Sequence, residues 1–271
     1  MARRPELIPA QRRALVLEHI RTQGAASIQS LVDAIAVSGS TIRRDLEELE
    51  AAGLLERARG GALLERTRKS TFEPPASIAA ELARPEKQAI GLAAAEILKP
   101  GESAIFDSGT TVRELARRVA ALNLSLTAVT NDLGIGTILG NATAIDVVIP
   151  GGSLRRGSLT LRGEPGESFF KTIHADIAFI GTHAISNGYL SETSLEVATI
   201  KRLMIGAARR VVLLADSSKF QPAAFCKISE LGAIQEMITD EGVSQDDAQM
   251  IRDFGIELTI VPIGSRPNET N

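Results

Sequence analysis

The chain has 271 residues, of which 44% are hydrophobic, so it is long enough for two domains and apolar enough to bury a core in each. It contains one cysteine, which excludes an intramolecular disulfide and a multi-cysteine metal site. It has no tryptophan and one tyrosine, which argues against an aromatic surface for single-stranded nucleic acid. No apolar run approaches the ~20 residues that cross a bilayer. The first residues lack the apolar stretch of a signal peptide, so we expect a cytoplasmic protein without membrane contact.

Charge is distributed unevenly along the chain. Residues 1–72 contain 12 Arg and Lys against 9 Asp and Glu, whereas residues 73–271 contain 18 against 24. The overall charge of −3 therefore combines a basic N-terminal segment with an acidic remainder. A basic segment favours contact with a polyanion, and the asymmetry supports that interpretation.

Three helices are predicted in the first 53 residues. The first covers about 9–22, with Leu15 and Ile20 on its apolar face. The second begins after Ser27, a residue type that caps helix N-termini. Only two residues, 36–37, then separate the second helix from the third. A connection this short is typical of a helix-turn-helix.

The third helix begins at Ser38 or Ser40, and an apolar stripe at i, i+4 and i+7 defines its buried face. That stripe consists of Ile42, Leu46 and Leu49. Polar side chains occupy the cap and the outer face, where a recognition helix contacts DNA. The DNA contacts predicted here are Ser38, Ser40, Thr41, Arg43 and Arg44.

The stretch LLERARGGALLE predicts a two-stranded wing with a Gly-Gly turn, on which Arg57 and Arg59 alternate. In a winged helix-turn-helix the third helix enters the major groove, where arginine pairs with guanine, and wing arginines contact phosphates. Two adjacent arginines alone are more simply a solvated helix face. Three helices, a short connection, an apolar stripe and a basic wing together favour double-stranded DNA.

We predict a DNA-binding domain over 1–64, a linker over 65–84 and an α/β domain over 85–271. Pro74 and Pro75 should keep the linker extended, and its charged flank should keep it solvated. Solubility explains the basic side chains of the linker more simply than DNA contact does; these are Arg66, Arg68 and Lys69.

From residue 85 onward helical and strand patterns alternate, which predicts an open, mainly parallel α/β sheet. The strand patterns are SAIFDS, LTAVTN, AIDVVIPGG, ADIAFIGTHAI, RVVLLADSS and IELTIVP. Ligands of such sheets bind outside the C-terminal strand ends. The polar ends here are Asp107, Ser108, Gly109, Thr110 and Thr111; Thr130 and Asn131; Gly151 and Gly152; Gly181 and Thr182; Asp216 and Lys219. Each alone could be a simple helix cap, but together they offer the groups that bind a phosphorylated polyol.

The segment VSGSTIRRDLEELEAAGLLERARGGA (37–62) resembles the signature of the DeoR family of bacterial sugar-catabolism repressors. The family usually has His where this chain has Arg59, a change that adds charge. The resemblance continues through EKQAIGLAAAEILKPGESAIFDSGTT, VTN, VIPGGSLR, DIAFIGTHAI, EVATIKRLMIGAAR and LLADSSKF. It implies a sensor domain with the fold of ribose-phosphate isomerase and glucosamine-phosphate deaminase.

The resemblance also implies roles for particular residues. Residues 107–111 would hold a phosphate, and Lys87, Asp216 and Lys219 would influence the response to the effector. Glu196 and Lys201 match a pair near the pocket, although residues five apart face different sides of a helix, which argues against a direct ion pair. Gln221 stands where the family usually has Gly.

We therefore expect a repressor of a carbohydrate catabolic operon that a phosphorylated sugar releases from its DNA operator. It should act as a homodimer or homotetramer and need neither cofactor nor metal. One alternative is a sugar-phosphate isomerase or deaminase fused to a DNA-binding domain, but the acidic catalytic motif of those isomerases is missing. Another is an activator or architectural protein without a small-molecule effector.

Overall fold

Two compact units make up the chain, Met1–Leu82 and Ala83–Asn271. The computed structural model describes residues 7–63, 70–71 and 73–263. The basic cluster at positions 66, 68 and 69 lies outside the described residues. Within the described residues, no helix is both long and apolar enough to span a membrane.

The first unit contains the three predicted helices and a small antiparallel sheet. Its elements are α1 (Pro9–Gln23), β1 (Ala25–Ser27), α2 (Ile28–Ile35), α3 (Gly39–Ala51), β2 (Glu56–Ala58), β3 (Gly61–Leu63) and α4 (Ala76–Glu81). The sheet has the order β1-β3-β2, so the wing predicted as two strands gains a third strand from the segment between α1 and α2. Gly61 lies so close to the backbone of Ala26 that a side chain would collide with it.

The core of the first unit confirms the predicted stripe of α3, since all three of its members are fully buried. The prediction for α1 was wrong at Leu15, which is exposed. Residues 15 and 20 are about 140° apart on a helix and cannot share one face. The buried face of α1 instead carries Ala14, Val16, Leu17 and Ile20.

Part of the segment predicted as an extended linker is helical. Pro75 stands at the N-cap of α4, and Ile78 in this helix is buried in the core of the first unit. Leu82 packs against the same core. The extended conformation expected from the two prolines therefore ends at Pro75, because a proline immediately before a helix is compatible with its first turn.

The second unit is built on a seven-stranded parallel sheet with the order β15-β14-β12-β9-β4-β5-β6. Its elements are α5 (Arg84–Glu96), β4 (Ser103–Phe106), α6 (Thr110–Leu122), β5 (Leu126–Thr130), α7 (Leu133–Gly140), β6 (Ile145–Val148), β7 (Ser153–Leu154), β8 (Leu161–Arg162), α8 (Gly166–Phe170), β9 (Ala175–Ile180), β10 (Ala184–Ser186), β11 (Tyr189–Glu192), α9 (Leu195–Gly206), β12 (Ala208–Leu214), β13 (Cys226–Glu230), β14 (Glu236–Asp240), α10 (Gln245–Asp253) and β15 (Glu257–Val261). The predicted parallel α/β sheet is confirmed.

Both faces of this sheet are buried. In β9, Ile177 and Phe179 belong to one hydrophobic cluster, and Ala178 and Ile180 belong to another. Successive side chains of a strand point to opposite faces, so the sheet separates two apolar layers. This explains why its strands read as nearly continuous apolar runs in the sequence.

The strand order reverses between β4 and β9. From β4 the chain moves outward through β5 and β6, then returns to β9 on the other side of β4 and moves outward through β12, β14 and β15. In open α/β sheets the crevice at such a reversal is the usual place for a ligand. The ends of β4 and β9 therefore mark the centre of the candidate site.

One predicted strand was wrong in its extent. ADIAFIGTHAI forms two strands, β9 and β10, and β10 joins a separate antiparallel sheet with the order β10-β11-β13. Between β10 and β11, Asn187 and Gly188 both have positive φ, the conformation of a tight hairpin turn.

Candidate functional sites

The N-terminus of α3 is lined with hydroxyl groups. Ser38 is the N-cap, and its Oγ accepts a hydrogen bond from the backbone N–H of Thr41 at 3.2 Å. The same Oγ lies 2.9 Å from Oγ of Ser40 and 2.8 Å from Oγ1 of Thr41. The first turn of α3 is therefore polar and capped by a side chain, with Ser38 and Ser40 exposed.

Arg43 and Arg44 are exposed on α3, while two acids of the same helix pair with α1. Asp45 is buried and receives two hydrogen bonds from Arg12, at 2.5 Å from Nε and 3.0 Å from Nη2. The hydrogen bond to Asp45 raises the pKa of Arg12. Arg13 pairs with Glu48 in the next turn. These ion pairs fix α3 against α1 and leave the exposed arginines to face solvent.

The two predicted wing arginines have different surroundings. Arg57 is half-buried against α3, with Nη1 3.5 Å from the carbonyl oxygen of Arg43 and 3.8 Å from Glu47. Its backbone N–H donates to Glu50 at 3.3 Å. Arg59 is exposed beside the turn at Gly60. Arg57 therefore joins the wing to α3, whereas the side chain of Arg59 faces solvent.

In the second unit, a buried ion-pair cluster lies where the strand order reverses. Nζ of Lys201 lies 2.7 Å from Asp107, 3.2 Å from Glu192 and 2.8 Å from the carbonyl oxygen of Gly181. The backbone N–H of Gly181 also donates to Asp107 at 2.9 Å. Lys201 thus ties the end of β4 to the end of β9 and to β11.

Burial and pairing act in opposite directions on this cluster. Burial alone lowers the pKa of Lys201, but the carboxylates of Asp107 and Glu192 outweigh burial and hold that pKa above its ordinary value. Complete burial raises the pKa of Asp107 against the effect of the Lys201 ammonium. Asp107 has no exposed surface, so in this conformation it acts as a support beneath the site.

The N-terminus of α6 is open immediately beyond Asp107. Gly109 is the N-cap with φ of 146°, and a Cβ added to it would meet nothing within 4 Å. Thr110 is half-buried, and Ser108 and Thr111 are largely buried. Backbone N–H groups at a helix N-terminus, beside a glycine that lets a ligand approach, suit a phosphate group.

A second charged group lies at the end of β12. Asp216 is buried, and Oδ1 accepts hydrogen bonds from the backbone N–H and hydroxyl of Ser218. Burial alone would raise the pKa of Asp216, but Lys219, Lys87 and the Ser218 hydrogen bonds outweigh burial and lower it. Lys87 is buried in the first turn of α5, and burial lowers its pKa to about 8. Cations from two elements therefore act on one carboxylate.

Some predicted effector residues have internal partners instead. The hydroxyl of Thr130 accepts from the backbone N–H of Asp132 at 3.1 Å, and that of Thr182 donates to carbonyl oxygens of Ala184 and Ser191, each at 3.1 Å. Asn131 is buried and donates from Nδ2 to the carbonyl oxygen of Leu161 at 3.0 Å. These side chains stabilise the backbone at the strand ends through hydrogen bonds.

The two glycines after β6 are explained by packing. Gly152 has φ of 130°, and a Cβ there would lie 2.7 Å from the carbonyl oxygen of Arg162 in β8. Gly151 has φ of 86° and lies beside the ring of Pro165. The β7–β8 hairpin can therefore approach this strand end only because both residues lack a side chain.

Glu196 and Lys201 do not meet, as their spacing predicts. Glu196 is exposed and pairs with Arg162 at 3.0 Å, while Lys201 is buried. The acid that joins Asp107 around Lys201 is Glu192, which the sequence reasoning missed. Glu192 lies at the end of β11, and the Asn-Gly turn before that strand was the available signal for it.

Comparisons with solved structures give weak overall similarity. Ribose 5-phosphate isomerase A from Methanocaldococcus jannaschii has a TM-score of 0.39 and 16% identity, covering 51% of this chain and 55% of that one. Translation initiation factor eIF-2B from Pyrococcus horikoshii OT3 also has a TM-score of 0.39, with 13% identity, covering 79% of this chain and 68% of that one.

Sequence comparisons are more specific. The HTH-type transcriptional regulator GlpR of Haloferax volcanii is 34% identical, with 93% of this chain and 98% of that protein covered. The HTH-type transcriptional repressors CsqR of Escherichia coli and GlcR of Bacillus subtilis are 30% and 28% identical; the matches cover 94% and 92% of this chain, and 97% and 95% of those proteins.

Two family models match the chain in sequence. The DeoR-like helix-turn-helix domain matches residues 12–68, and the DeoR C terminal sensor domain matches residues 83–241. The first match covers α3 and the wing, and the second covers the parallel sheet through the end of β14. The chain therefore belongs to the DeoR family of DNA-binding transcriptional regulators.

Proposed function

We propose that this protein represses carbohydrate catabolic genes and leaves its operator when a phosphorylated sugar binds to the second unit. It acts in the cytoplasm on double-stranded DNA, as a homodimer or homotetramer. The sugar phosphate is an allosteric effector and is not consumed, and no cofactor or metal takes part.

Features of α3 and the wing support the DNA-binding half of the proposal. Arg43 and Arg44 are exposed on a helix fixed by two ion pairs to α1. Arg59 is exposed on the wing beside it. A rigid helix with exposed arginines suits the major groove, where arginine reads guanine, and a basic wing suits the adjacent phosphates.

The main support for effector binding by the second unit is the open N-terminus of α6, which lies where the strand order reverses. Gly109 leaves free space at the helix N-cap, and Asp107 beneath it is held by Lys201. Lys219 and Asp216 lie at the end of another strand of the same sheet edge. A phosphate at the helix N-terminus and sugar hydroxyls along the strand ends would match these groups.

Repression is supported by the names of the relatives. CsqR and GlcR are both named as transcriptional repressors. Neither they nor GlpR is named as an enzyme, and this chain is a regulator and not an isomerase or deaminase. Asp107 is buried and ion-paired, which does not suit a general base, because a general base must reach its substrate.

The test measures effector binding and DNA release on one preparation. Fragments of the source genome that the purified protein retains would define an operator. A thermal-shift series would then compare sugar phosphates with the same sugars unphosphorylated and with inorganic phosphate. A ligand at 100 times its Kd should stabilise the native state by about 2.7 kcal/mol. The phosphorylated sugar that stabilises most should also lower operator affinity in fluorescence anisotropy.

Two glycines provide a matched pair of variants. Gly109 and Gly101 both have positive φ and open space where a Cβ would lie, but Gly101 is at the opposite end of β4. Gly109→Val should weaken the response to sugar phosphate. Gly101→Val should lower the stability of the protein and leave that response unchanged. If no sugar phosphate stabilises the wild-type protein more than inorganic phosphate does, the effector proposal is wrong.

A further inference from the structure

Asp240, at the end of β14, has a carboxylate with three short hydrogen bonds. Oδ1 accepts from the backbone N–H of Ser217 at 2.6 Å. Oδ2 accepts from the hydroxyl of Ser217 at 2.8 Å and from the backbone N–H of Gly242 at 2.9 Å. The side chain is buried, so these bonds are shielded from water. Charge-assisted bonds of this length are among the stronger ones in proteins.

The contact suits a carboxylate and not an amide. Three donors point at Asp240, and a carboxylate offers only acceptors, whereas an amide of the same shape would turn a donor towards one of them. Gly242 limits the space as well. A Cβ on Gly242 would lie 2.7 Å from Oγ of Ser217 and 2.8 Å from Oδ2 of Asp240. The three residues therefore form one closely packed contact.

What Asp240 holds is the segment with the charged groups of the candidate effector site. Ser217 opens the 3-10 turn Ser217–Lys219, between Asp216 and Lys219. Asp216 accepts its hydrogen bonds from Ser218 within the same turn, so that contact is local. Asp240 belongs to the neighbouring strand and fixes the turn relative to the sheet. At the far end, Nε2 of Gln221 donates to the carbonyl oxygen of His183 at 2.8 Å.

We infer that Asp240 is a positioning residue for effector binding: it holds Ser217 so that Asp216 and Lys219 are in place before the ligand arrives. A loop ordered in advance loses less conformational entropy on binding, which improves affinity without a direct contact. The inference rests on the proposed function, since it gives the Asp216–Lys219 segment a part in binding the sugar phosphate. Asp240 itself does not touch the ligand.

The decisive variant is Asp240→Asn, which keeps the shape and removes one acceptor. We expect the effector concentration for half-release from the operator to rise roughly tenfold, as for the loss of one charge-assisted hydrogen bond. Operator affinity without effector should stay unchanged, because the recognition helix lies in the other unit. Hydrogen–deuterium exchange should become faster in a peptide covering residues 214–222.

Two further variants make the result specific. Glu241→Gln removes one negative charge from the next, exposed residue and should leave effector response and exchange unchanged. Ser217→Ala removes only the hydroxyl bond and should give a smaller effect than Asp240→Asn. The double variant should fall short of the sum of the two single effects, because residues that share a contact are not additive.

Each outcome decides a separate question. If Asp240→Asn keeps either wild-type effector affinity or wild-type exchange at residues 214–222, the inference is wrong. It is also wrong if Asp240→Asn and Ser217→Ala lose operator binding and effector binding together, since that marks a purely structural contact. If the wild-type protein responds to no sugar phosphate, the proposed function is wrong. In that case hydrogen–deuterium exchange still tests the positioning role, which is wrong if exchange at residues 214–222 is unchanged in Asp240→Asn.

Discussion

Arg44 is the side chain from which we expect direct base recognition. It is exposed on α3, on the side away from Ile42 and Leu46, which are fully buried. Arg44→Ala should weaken operator binding by about 1–3 kcal/mol and relax the sequence preference at one position. Binding to a set of operators with single-base changes, measured by anisotropy, tests this directly. An unchanged footprint and unchanged preference would show that α3 is not the recognition helix.

Arg59 provides the contrast to Arg44 because it lies on the wing. A phosphate contact carries no sequence information, so Arg59→Ala should weaken binding to all operators about equally. It should also reduce the salt dependence of binding by roughly one released counterion. Arg57 is half-buried against α3 and should behave differently from both. Its loss would disturb the wing itself.

Lys87 should give the second unit a characteristic pH dependence. Burial lowers its pKa to about 8 from 10.5, so between these values the unfolded chain binds more protons than the native one. The free energy of unfolding should therefore rise as the pH increases through that range. A tenfold change in proton affinity corresponds to about 1.4 kcal/mol, which makes the full rise about 3 kcal/mol. Urea unfolding of wild type at pH 7, 8, 9 and 10 measures it.

The matched variants are Lys87→Met and Lys171→Met. Methionine at position 87 keeps the buried aliphatic length without a charge, so the rise in stability with pH should disappear. Lys171 is exposed, and its replacement should leave the rise intact. A rise that persists in Lys87→Met would assign the pH dependence to another group.

At the scale of elements, the sequence predicts best where one physical rule dominates. The stripe of Ile42, Leu46 and Leu49 defined α3 because a helix with one buried face must repeat apolar residues at this spacing. Six of the seven parallel strands were evident because burial on both faces leaves them few polar positions, but β14 was not predicted. Polar residues directly after those strands predicted the edge where Asp107 and Asp216 lie, since parallel strands end on the same side.

Elements that depend on distant partners were harder to predict. β1 has three residues and exists because it pairs with β3, and α4 packs its Ile78 into a core formed by residues far earlier in the chain. The β10–β11 hairpin had a local signal in Asn187-Gly188 and was still merged into a longer apolar run.

The same limit applies to partners within the site. The sequence identified Lys201 and Asp107 but missed Glu192, the second acid beside Lys201. It identified Asp216 and Lys219 but missed Asp240, which holds the segment between them. These contacts join residues from different strands, and a motif along the chain carries no information about which strands are neighbours. Supporting residues therefore become visible only once the sheet order is known.

At the scale of the whole molecule, the proposal requires a coupling free energy between two units. If the sugar phosphate lowers operator affinity by some factor, the operator must lower sugar-phosphate affinity by the same factor. A factor of 5–150 corresponds to about 1–3 kcal/mol, the usual range for allosteric proteins. An effector that binds equally well to free and DNA-bound protein could not release the operator, however tightly it binds.

The expected homodimer or homotetramer makes a prediction about operator geometry. Two winged helix-turn-helix units that bind one face of DNA need half-sites separated by about one helical turn, or a multiple of it. Inserting five base pairs between the half-sites rotates one of them by half a turn and should reduce affinity strongly. Inserting ten base pairs restores the phase and should recover much of the binding. Equal binding to all three operators, together with a monomeric mass in light scattering, would mean that the protein binds each half-site independently.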